Sequence, residues 1–452
     1  VRQWRELIAS DDHNMQARRC FLFAPRTPLM RLVSLQRAWS AEDAHVLRRK
    51  GHLKEQDRFI EFIISMCHTH APGEAFRKME TWVLEHRAAP KGSTLSRLVP
   101  SVGEFFTHLP LGQALDSYDE FSGLARRRFV APNFAEVRHV LNMAQVKASA
   151  PALRLITFDA DGTLYADGAH FERDNAMIRK IIALLSAGLH VGVVTAAGYP
   201  GDASRFEGRL KGLLAAFCAV PSGEELMSRF HLMGGECNYL LRCVGTLACL
   251  HKHCAPRSRL ARFRARRALG VCAARGVAAA RNAGASVLAP RLRLLLTPKR
   301  EQEWREEDVQ AFLDTAESAL LSNAKRLGLA VEVVRKPRAC GVVPTGPVIY
   351  ETLEEIALAV QSELAGSTLP FCAFNGGNDV FVDVGNKSLG LQALQRYLGA
   401  RPEQVLHVGD RFTVTGNDGT VRDCCSILWV ANPDETAVFI QMLLNDVARR
   451  QA

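Results

Sequence analysis

Residues 153–164 read Leu-Arg-Leu-Ile-Thr-Phe-Asp-Ala-Asp-Gly-Thr-Leu, a short β-type run that ends in two carboxylates one residue apart, followed at once by a glycine turn. In an extended segment residues i and i+2 project to the same side, so Asp159 and Asp161 converge on one point beyond the strand's end. Gly162 lets the backbone turn away. A helix over 174–186, ending near Gly188, and a second strand over 190–195 follow. This alternation predicts parallel strands joined by crossover helices, with ligands held beyond the carboxyl ends of the strands, where Asp159 and Thr195 both fall.

The same rhythm is interrupted and then resumes. Residues 201–370 read as an inserted α+β unit, with a helix over 304–327 and a strand over 330–335. Strand-like 381–384, helical 389–398, strand-like 405–408 closed by Gly409-Asp410, and a last strand over 427–430 return to the α/β pattern. The expected organisation is a helical region over 1–149, a core over 150–200 and 371–452, and the insertion between them. In the first region a helix opens at Ser40-Ala-Glu-Asp, which resembles a capping box, and Ala71-Pro72-Gly73 ends it; a second helix covers 74–86. No phosphate loop or nucleophile constellation stands there, so it reads as a packing or oligomerisation domain, with effector binding as the other reading. At 452 residues the chain is about three times an ordinary domain, which agrees with several units.

The net charge of +10 suggests nucleic acid, but its distribution argues against that. Residues 241–300 hold 14 of the 57 Lys and Arg and none of the 47 Asp and Glu, leaving 43 basic against 47 acidic residues elsewhere. The excess belongs to one Arg/Ala-rich stretch with little aromatic content, not to a folded basic face. Over about 244–292 that stretch has too few large apolar residues to bury a core and reads as a disordered or loosely helical insertion. No apolar run of about 18 residues is present to span a bilayer. Twelve scattered cysteines, Cys218, Cys372 and Cys424 among them in apolar runs, suit free thiols in a reducing, cytoplasmic compartment. Cys249, His251, His253 and Cys254 cluster as zinc ligands do, without the second ligand pair a zinc site needs.

Five side chains share one chemical logic. Asp159 and Asp161 supply two carboxylates, Thr195 a hydroxyl after the second strand, Lys387 an ammonium, and Asp410 a third carboxylate after a later strand. Taken singly, Thr195 is a strand-end hydroxyl, Lys387 a surface lysine and Asp410 a turn residue; their common place at strand ends carries the reading. The set suits phosphoryl transfer: one carboxylate attacks phosphorus and another shuttles the proton. Mg²⁺ held by carboxylates offsets charge, while the lysine and hydroxyl hold phosphate oxygens. A calcium EF-hand is excluded, because its twelfth position from Asp159 is His170 rather than glutamate.

Asp159-x-Asp161-Gly-Thr, Thr195, Lys387, and Gly409-Asp410 followed by Asn417-Asp418 resemble the four motifs of the haloacid-dehalogenase-like (HAD) phosphohydrolases. The resemblance implies a HAD-like Rossmannoid parallel-sheet core, Asp159 as nucleophile and Asp161 as general acid/base. It implies Thr195 and Lys387 on the phosphoryl group, and Mg²⁺ on Asp159, the Asp161 carbonyl and Asp410 with Asp418 in support. The 192 positions from Thr195 to Lys387 put the insertion in the slot of a C2-type cap. Residues 194–199 (Val-Thr-Ala-Ala-Gly-Tyr), 234–240 (Gly-Gly-Glu-Cys-Asn-Tyr-Leu), 374–387 (Phe-Asn-Gly-Gly-Asn-Asp-Val-Phe-Val-Asp-Val-Gly-Asn-Lys) and 409–412 (Gly-Asp-Arg-Phe) are similar to the IMP-specific 5′-nucleotidases over nearly the whole chain except about 244–292. That family implies hydrolysis of inosine 5′-monophosphate (IMP), Mg²⁺ dependence, a homotetramer, and activation by ATP through the N-terminal region. Candidate substrate contacts are Asp161, Thr195, Ala196, Arg209, Asn375, Asn378, Asp383 and Lys387. Arg209 is placed to meet the nucleotide phosphate, Asp383 to accept from the nucleoside, and Asn375 and Asn378 to shape a glycine-rich turn. A sugar-phosphate phosphatase of the same superfamily stays open as an alternative, and a nucleic-acid-binding protein on the same scaffold as a more distant one.

Overall fold

Up to residue 150 the secondary structure of the described residues is helical throughout. The computed structural model describes residues 56–127, 130–196, 203–234, 237, 239–244, 291–296 and 304–451. The capping box at Ser40, the Cys249–Cys254 cluster and nearly all of the basic stretch lie outside them. Helix α1 (Arg58–Cys67) starts where the Asp57 carboxylate accepts from the Ile60 N–H at 2.9 Å. Pro72 does not end a helix but opens one: α2 (Pro72–Ala88) carries it in the first turn, where a missing N–H costs nothing. Helices α3 (Thr94–Leu98) and α4 (Leu111–Ser122) follow. Helix α5 (Phe134–Ser149) opens with a complete capping box between Asn133 and Glu136. It is buried on nearly every side, packing Val137, Val140, Met143 and Ala144 into the core cluster of α1, α2 and α4 while its polar side chains meet the sheet beyond.

Then come β1 (Leu155–Phe158), α6 (Ala176–Ser186), β2 (His190–Val194), the short helices α7 (Ala203–Arg209), α8 (Lys211–Ala219) and α9 (Gly223–Ser228), β3 (Phe230–Gly234), β4 (Tyr239–Val244) and β5 (Arg291–Leu296). The chain next builds α10 (Glu306–Arg326), β6 (Val331–Lys336), β7 (Ala339–Pro344), α11 (Tyr350–Glu363), β8 (Phe371–Asn375) and β9 (Val380–Val384). It closes with α12 (Lys387–Leu398), β10 (Val405–Gly409), β11 (Ser426–Trp429) and α13 (Pro433–Gln451).

Two sheets result. The first runs β11-β10-β1-β2-β3-β4-β5, parallel from β11 to β3 and antiparallel at β4 and β5. All four residues of β1 are buried, as a central parallel strand requires when both faces are covered. Ile156, Phe158, Val193, Leu406 and Leu428 face the core shared with α5, α6 and α13; Leu155, Val194, Met233 and Val405 face Leu391 and Leu394 of α12. The second sheet, β6-β7-β9-β8, is antiparallel throughout and packs its apolar side on α10 and α11.

The sheets divide the chain elsewhere than the expected cuts at 200 and 370. Strands β3, β4 and β5 extend the first sheet, so 203–244 and 291–296 stay with the core. Residues 371–384 form the β8–β9 hairpin of the second sheet, with Phe374 opposite Phe381. The physical reason is local: two strands a tight turn apart pair with each other, and β9 then pairs with β7. After β9 the chain enters α12, which Asn386 caps by accepting from the Leu389 N–H at 2.9 Å, and it rejoins the first sheet at β10.

Candidate active site

The carboxyl ends of β1, β2 and β10 deliver Asp159, Thr195 and Asp410 to one rim of the first sheet. Asp159 continues the ladder by donating its N–H to the Val408 carbonyl at 2.8 Å. Gly162 then adopts φ +75°, which a β-carbon disfavours, and a Cβ there would lie 2.6 Å from Asp410 Oδ2. The loop after β10 folds back so that the Asp418 N–H donates to the Arg411 carbonyl at 3.1 Å, bringing Asp418 under Gly409. Helix α12 begins with Lys387 on the same rim.

Lys387 joins these pieces. Its ammonium lies 2.8 Å from Asp159 Oδ1 and 2.6 Å from Asp418 Oδ1, with Lys387 only 2% exposed and Asp418 fully buried. Burial alone would push the lysine down, but Asp159 and Asp418 hold it above its ordinary value. Burial likewise raises the Asp159 carboxyl, with the Lys387 charge opposing and Asp418 and Asp410 reinforcing. Asp418 is driven the other way: burial disfavours its charge, yet Lys387 and the hydrogen bond from His407 hold it well below the usual carboxylate range.

One oxygen each from Asp159, Asp410 and Asp418 lies within 4.8 Å of the others. Three carboxylates are the hard, all-oxygen donor set that Mg²⁺ takes, and they outnumber the single ammonium among them. The residues therefore fit a divalent cation. Asp418, expected in support of the cation, brings its carboxylate into this cluster; Asp161, expected to offer its backbone carbonyl, directs its carboxylate to Arg209. Arg209 Nη1 donates to Asp161 Oδ2 at 2.9 Å and Oδ1 at 3.2 Å, and the Gly168 N–H donates to Oδ1 at 3.2 Å. The proton-transfer candidate and the phosphate-binding candidate thus meet each other at the mouth of the site, with side chains 29% and 26% exposed.

The other candidates are distributed around this centre. Thr195 is buried and donates its N–H to the Met233 carbonyl at 2.9 Å; Ala196 follows it half-buried. Asp383 is buried on β9 opposite Cys372. Burial pushes the Cys372 thiol up to about 12, Asp383 adding to the effect and Lys387 opposing it, so this strand pair lies within electrostatic reach of the centre. Asn378 is exposed on the β8–β9 turn. Asn375 is buried and spent on the scaffold: its Nδ2 donates to Glu354 Oε2 at 3.1 Å, and its Oδ1 accepts from the Gly377 N–H at 2.8 Å.

Several residues that sequence reasoning passed over hold these parts together. Arg411 Nη1 donates to the Asn375 carbonyl across the gap between the two sheets, and its Nε lies 3.6 Å from Asp410 Oδ2. Glu354 of α11 accepts from the Thr415 hydroxyl on the same crossing. His407 Nε2 lies 3.0 Å from Asp418 Oδ1, its Nδ1 lies 2.8 Å from Thr157 Oγ1, and burial holds the ring toward its neutral form. The available signal was a polar residue inside each apolar strand, Thr157 in Leu-Ile-Thr-Phe and His407 in Val-Leu-His-Val.

A family model described as IMP-specific 5′-nucleotidase matches residues 53–258 and 291–440. It passes over 259–290, within the stretch expected to depart from the pattern. An IMP-specific 5′-nucleotidase 1 from Aspergillus fumigatus is 41% identical over 373 residues, covering 79% of this chain and 74% of the relative. One from Plasmodium falciparum is 31% identical over 425 residues, covering 87% and 85%. Among solved structures, the N-terminally truncated, IMP-bound P. falciparum IMP-nucleotidase aligns with TM-score 0.71 at 30% identity, covering 88% of this chain and 99% of that one. The ATP-bound form of that protein aligns with TM-score 0.70 at 29% identity, covering 94% of both.

Proposed function

The chain belongs to the IMP-specific 5′-nucleotidase family, and from that premise we propose that it hydrolyses inosine 5′-monophosphate to inosine and inorganic phosphate through an aspartyl-phosphate on Asp159. The observation that carries the chemistry is Lys387 bridging Asp159 and Asp418, with Asp410 beside them. In this reading an Asp159 carboxylate oxygen attacks phosphorus and the P–O5′ bond breaks. Asp161 gives its proton to the departing O5′ of inosine. It then takes a proton from the water that attacks the aspartyl-phosphate, which releases phosphate and restores Asp159. Lys387 and Thr195 hold the phosphoryl oxygens. Arg209 leaves Asp161 for the incoming phosphate, an exchange that their partly exposed position supports.

Mg²⁺ on Asp159, Asp410 and the Asp161 carbonyl, with Asp418 in support, would supply electrostatic compensation for the phosphoryl charge. The first sheet is read as a HAD-type core and the α10–β9 unit as a C2-type cap, whose Asp383 and β8–β9 turn, with Asn375 and Asn378, bound the nucleoside end. ATP activation through the helical region ahead of β1 belongs to the same reading, supported by a similar protein with ATP bound. A cytoplasmic location suits the cysteines, which are free thiols wherever the structure describes them, and no described helix is long and apolar enough to cross a membrane. The homotetramer rests on the family alone.

The test is phosphate release from IMP, AMP and sugar phosphates, with Mg²⁺ and after its chelation. IMP is expected to turn over far faster than the rest, chelation to stop it, and ATP to raise it. Equal rates on all substrates would remove the IMP assignment and favour the sugar-phosphate alternative or a general phosphatase.

A further inference from the structure

The network behind the nucleophile contains a histidine for which the proposed chemistry has no use. His407 stands on β10 directly opposite Thr157 of β1 in the parallel register, both fully buried beneath α12. Its two nitrogens are engaged, Nδ1 with Thr157 Oγ1 at 2.8 Å and Nε2 with Asp418 Oδ1 at 3.0 Å. Asp418 Oδ1 is also the atom that takes Lys387 at 2.6 Å, and Lys387 reaches Asp159 at 2.8 Å. Hydrogen bonds and ion pairs therefore leave β1 at Thr157 and return to the chain at Asp159, two residues on.

We infer that His407 is a positioning residue for Lys387, fixing Asp418 so that the ammonium is held at one place beside the nucleophile. An ammonium on a four-carbon stem is a mobile point charge, and a single carboxylate leaves it free to swing. Two carboxylates define its position only if the second is itself immobile. Asp418 meets that condition: Oδ2 accepts from the Arg411 N–H at 3.1 Å and Oδ1 accepts from His407. A single imidazole N–H given to Asp418 leaves Nδ1 as acceptor for the Thr157 hydroxyl, so the Asp418 carboxylate sets the tautomer and Thr157 holds the ring orientation. Packing alone does not account for the residue. Its strand neighbours Val405, Leu406 and Val408 are buried and apolar, and burying an imidazole among them is costly unless both nitrogens find partners.

This inference rests on the reading that Asp159 and Lys387 act on a phosphoryl group, and its test separates the two. The full chain and its His407→Leu, His407→Gln and Thr157→Val variants are compared on IMP and on p-nitrophenyl phosphate, with thermal melting of each. His407→Leu is expected to lower kcat on both substrates about a hundredfold with a much smaller change in KM, because a small displacement of a catalytic group costs that much. His407→Gln keeps an N–H for Asp418 and should recover most of the loss; Thr157→Val should fall between. Parent-like kcat in His407→Leu, or His407→Gln as impaired as His407→Leu while both melt like the parent, overturns it. Should His407→Leu fail to fold, Thr157→Val decides: reduced kcat with parent-like melting supports the inference, and unchanged kcat overturns it. A parent inactive on IMP but active on p-nitrophenyl phosphate removes the substrate reading and leaves this comparison intact. A parent inactive on both removes both.

Discussion

Two glycines separate backbone strain from site geometry at the level of single residues. Gly162 and Gly188 both adopt positive φ, +75° and +88°, but a Cβ at Gly188 would meet nothing within 4 Å, whereas at Gly162 it would press on Asp410. Left-handed strain alone costs about 1–2 kcal/mol for a residue with a β-carbon. Gly188→Ala should therefore lose about that much stability in denaturant melts, and Gly162→Ala somewhat more, because its Cβ must also displace Asp410. Only Gly162→Ala should also lose turnover, by about a hundredfold, as Asp410 is displaced; equal turnover in the two would show that the contact does not matter. The acidic residues were legible in the sequence because Asp-x-Asp-Gly and Gly-Asp end strands whose apolar patterns are unmistakable. The second anchor of Lys387 was legible only as a supporting aspartate, since His407 and Arg411 act through distances that no spacing encodes. The Arg209–Asp161 pair was illegible for the same reason: 48 positions separate them, and each had a plausible role of its own.

Among elements, α5 ties the helical region to the first sheet most extensively in hydrogen bonds, beside the Asp57–Arg422 ion pair at 2.8 Å. Arg138 Nη1 donates to the Trp429 carbonyl and to Glu435 Oε2, both at 2.7 Å, and His139 Nε2 lies 3.0 Å from Glu435 Oε1. Asn142 exchanges two hydrogen bonds with the Trp429 backbone, and the Trp429 indole donates to the Asp410 carbonyl at 3.0 Å. The helical region is thus one side chain removed from the acidic cluster. Burial disfavours the Glu435 charge, but the Arg138 guanidinium and His139 hold its carboxyl well below the usual range. A depressed carboxylate contributes stability above its unfolded pKa of about 4.3 and loses it as pH falls toward the folded value. Glu435→Gln should cost about 3–5 kcal/mol at neutral pH, because it strands a buried guanidinium. The gap between variant and parent should narrow as melts are repeated below about pH 4.3; a gap independent of pH would mean that the ion pair is not its source.

At the scale of the molecule, the sequence revealed the departure from the α/β rhythm and its return but misplaced the seams. Apolar patterning does not say which sheet a segment joins, so residues 230–244 and 291–296, not read as strands, fell within the insertion, and 371–384 within the core. What the fold accomplishes is a closure between the two sheets: Arg411 and Thr415 from the core loop hold Asn375 and Glu354 of the second unit, so the β8–β9 turn is anchored beside Asp410. In the proposed function the acidic centre carries phosphoryl transfer and the second unit bounds the nucleoside. The most direct test of that function is rapid acid quench of the chain mixed with IMP labelled at phosphorus, followed by peptide mapping. The account predicts transient label on the peptide that carries Asp159 and none in Asp159→Asn; label on another residue, or label passing straight to free phosphate at every quench time, would contradict it.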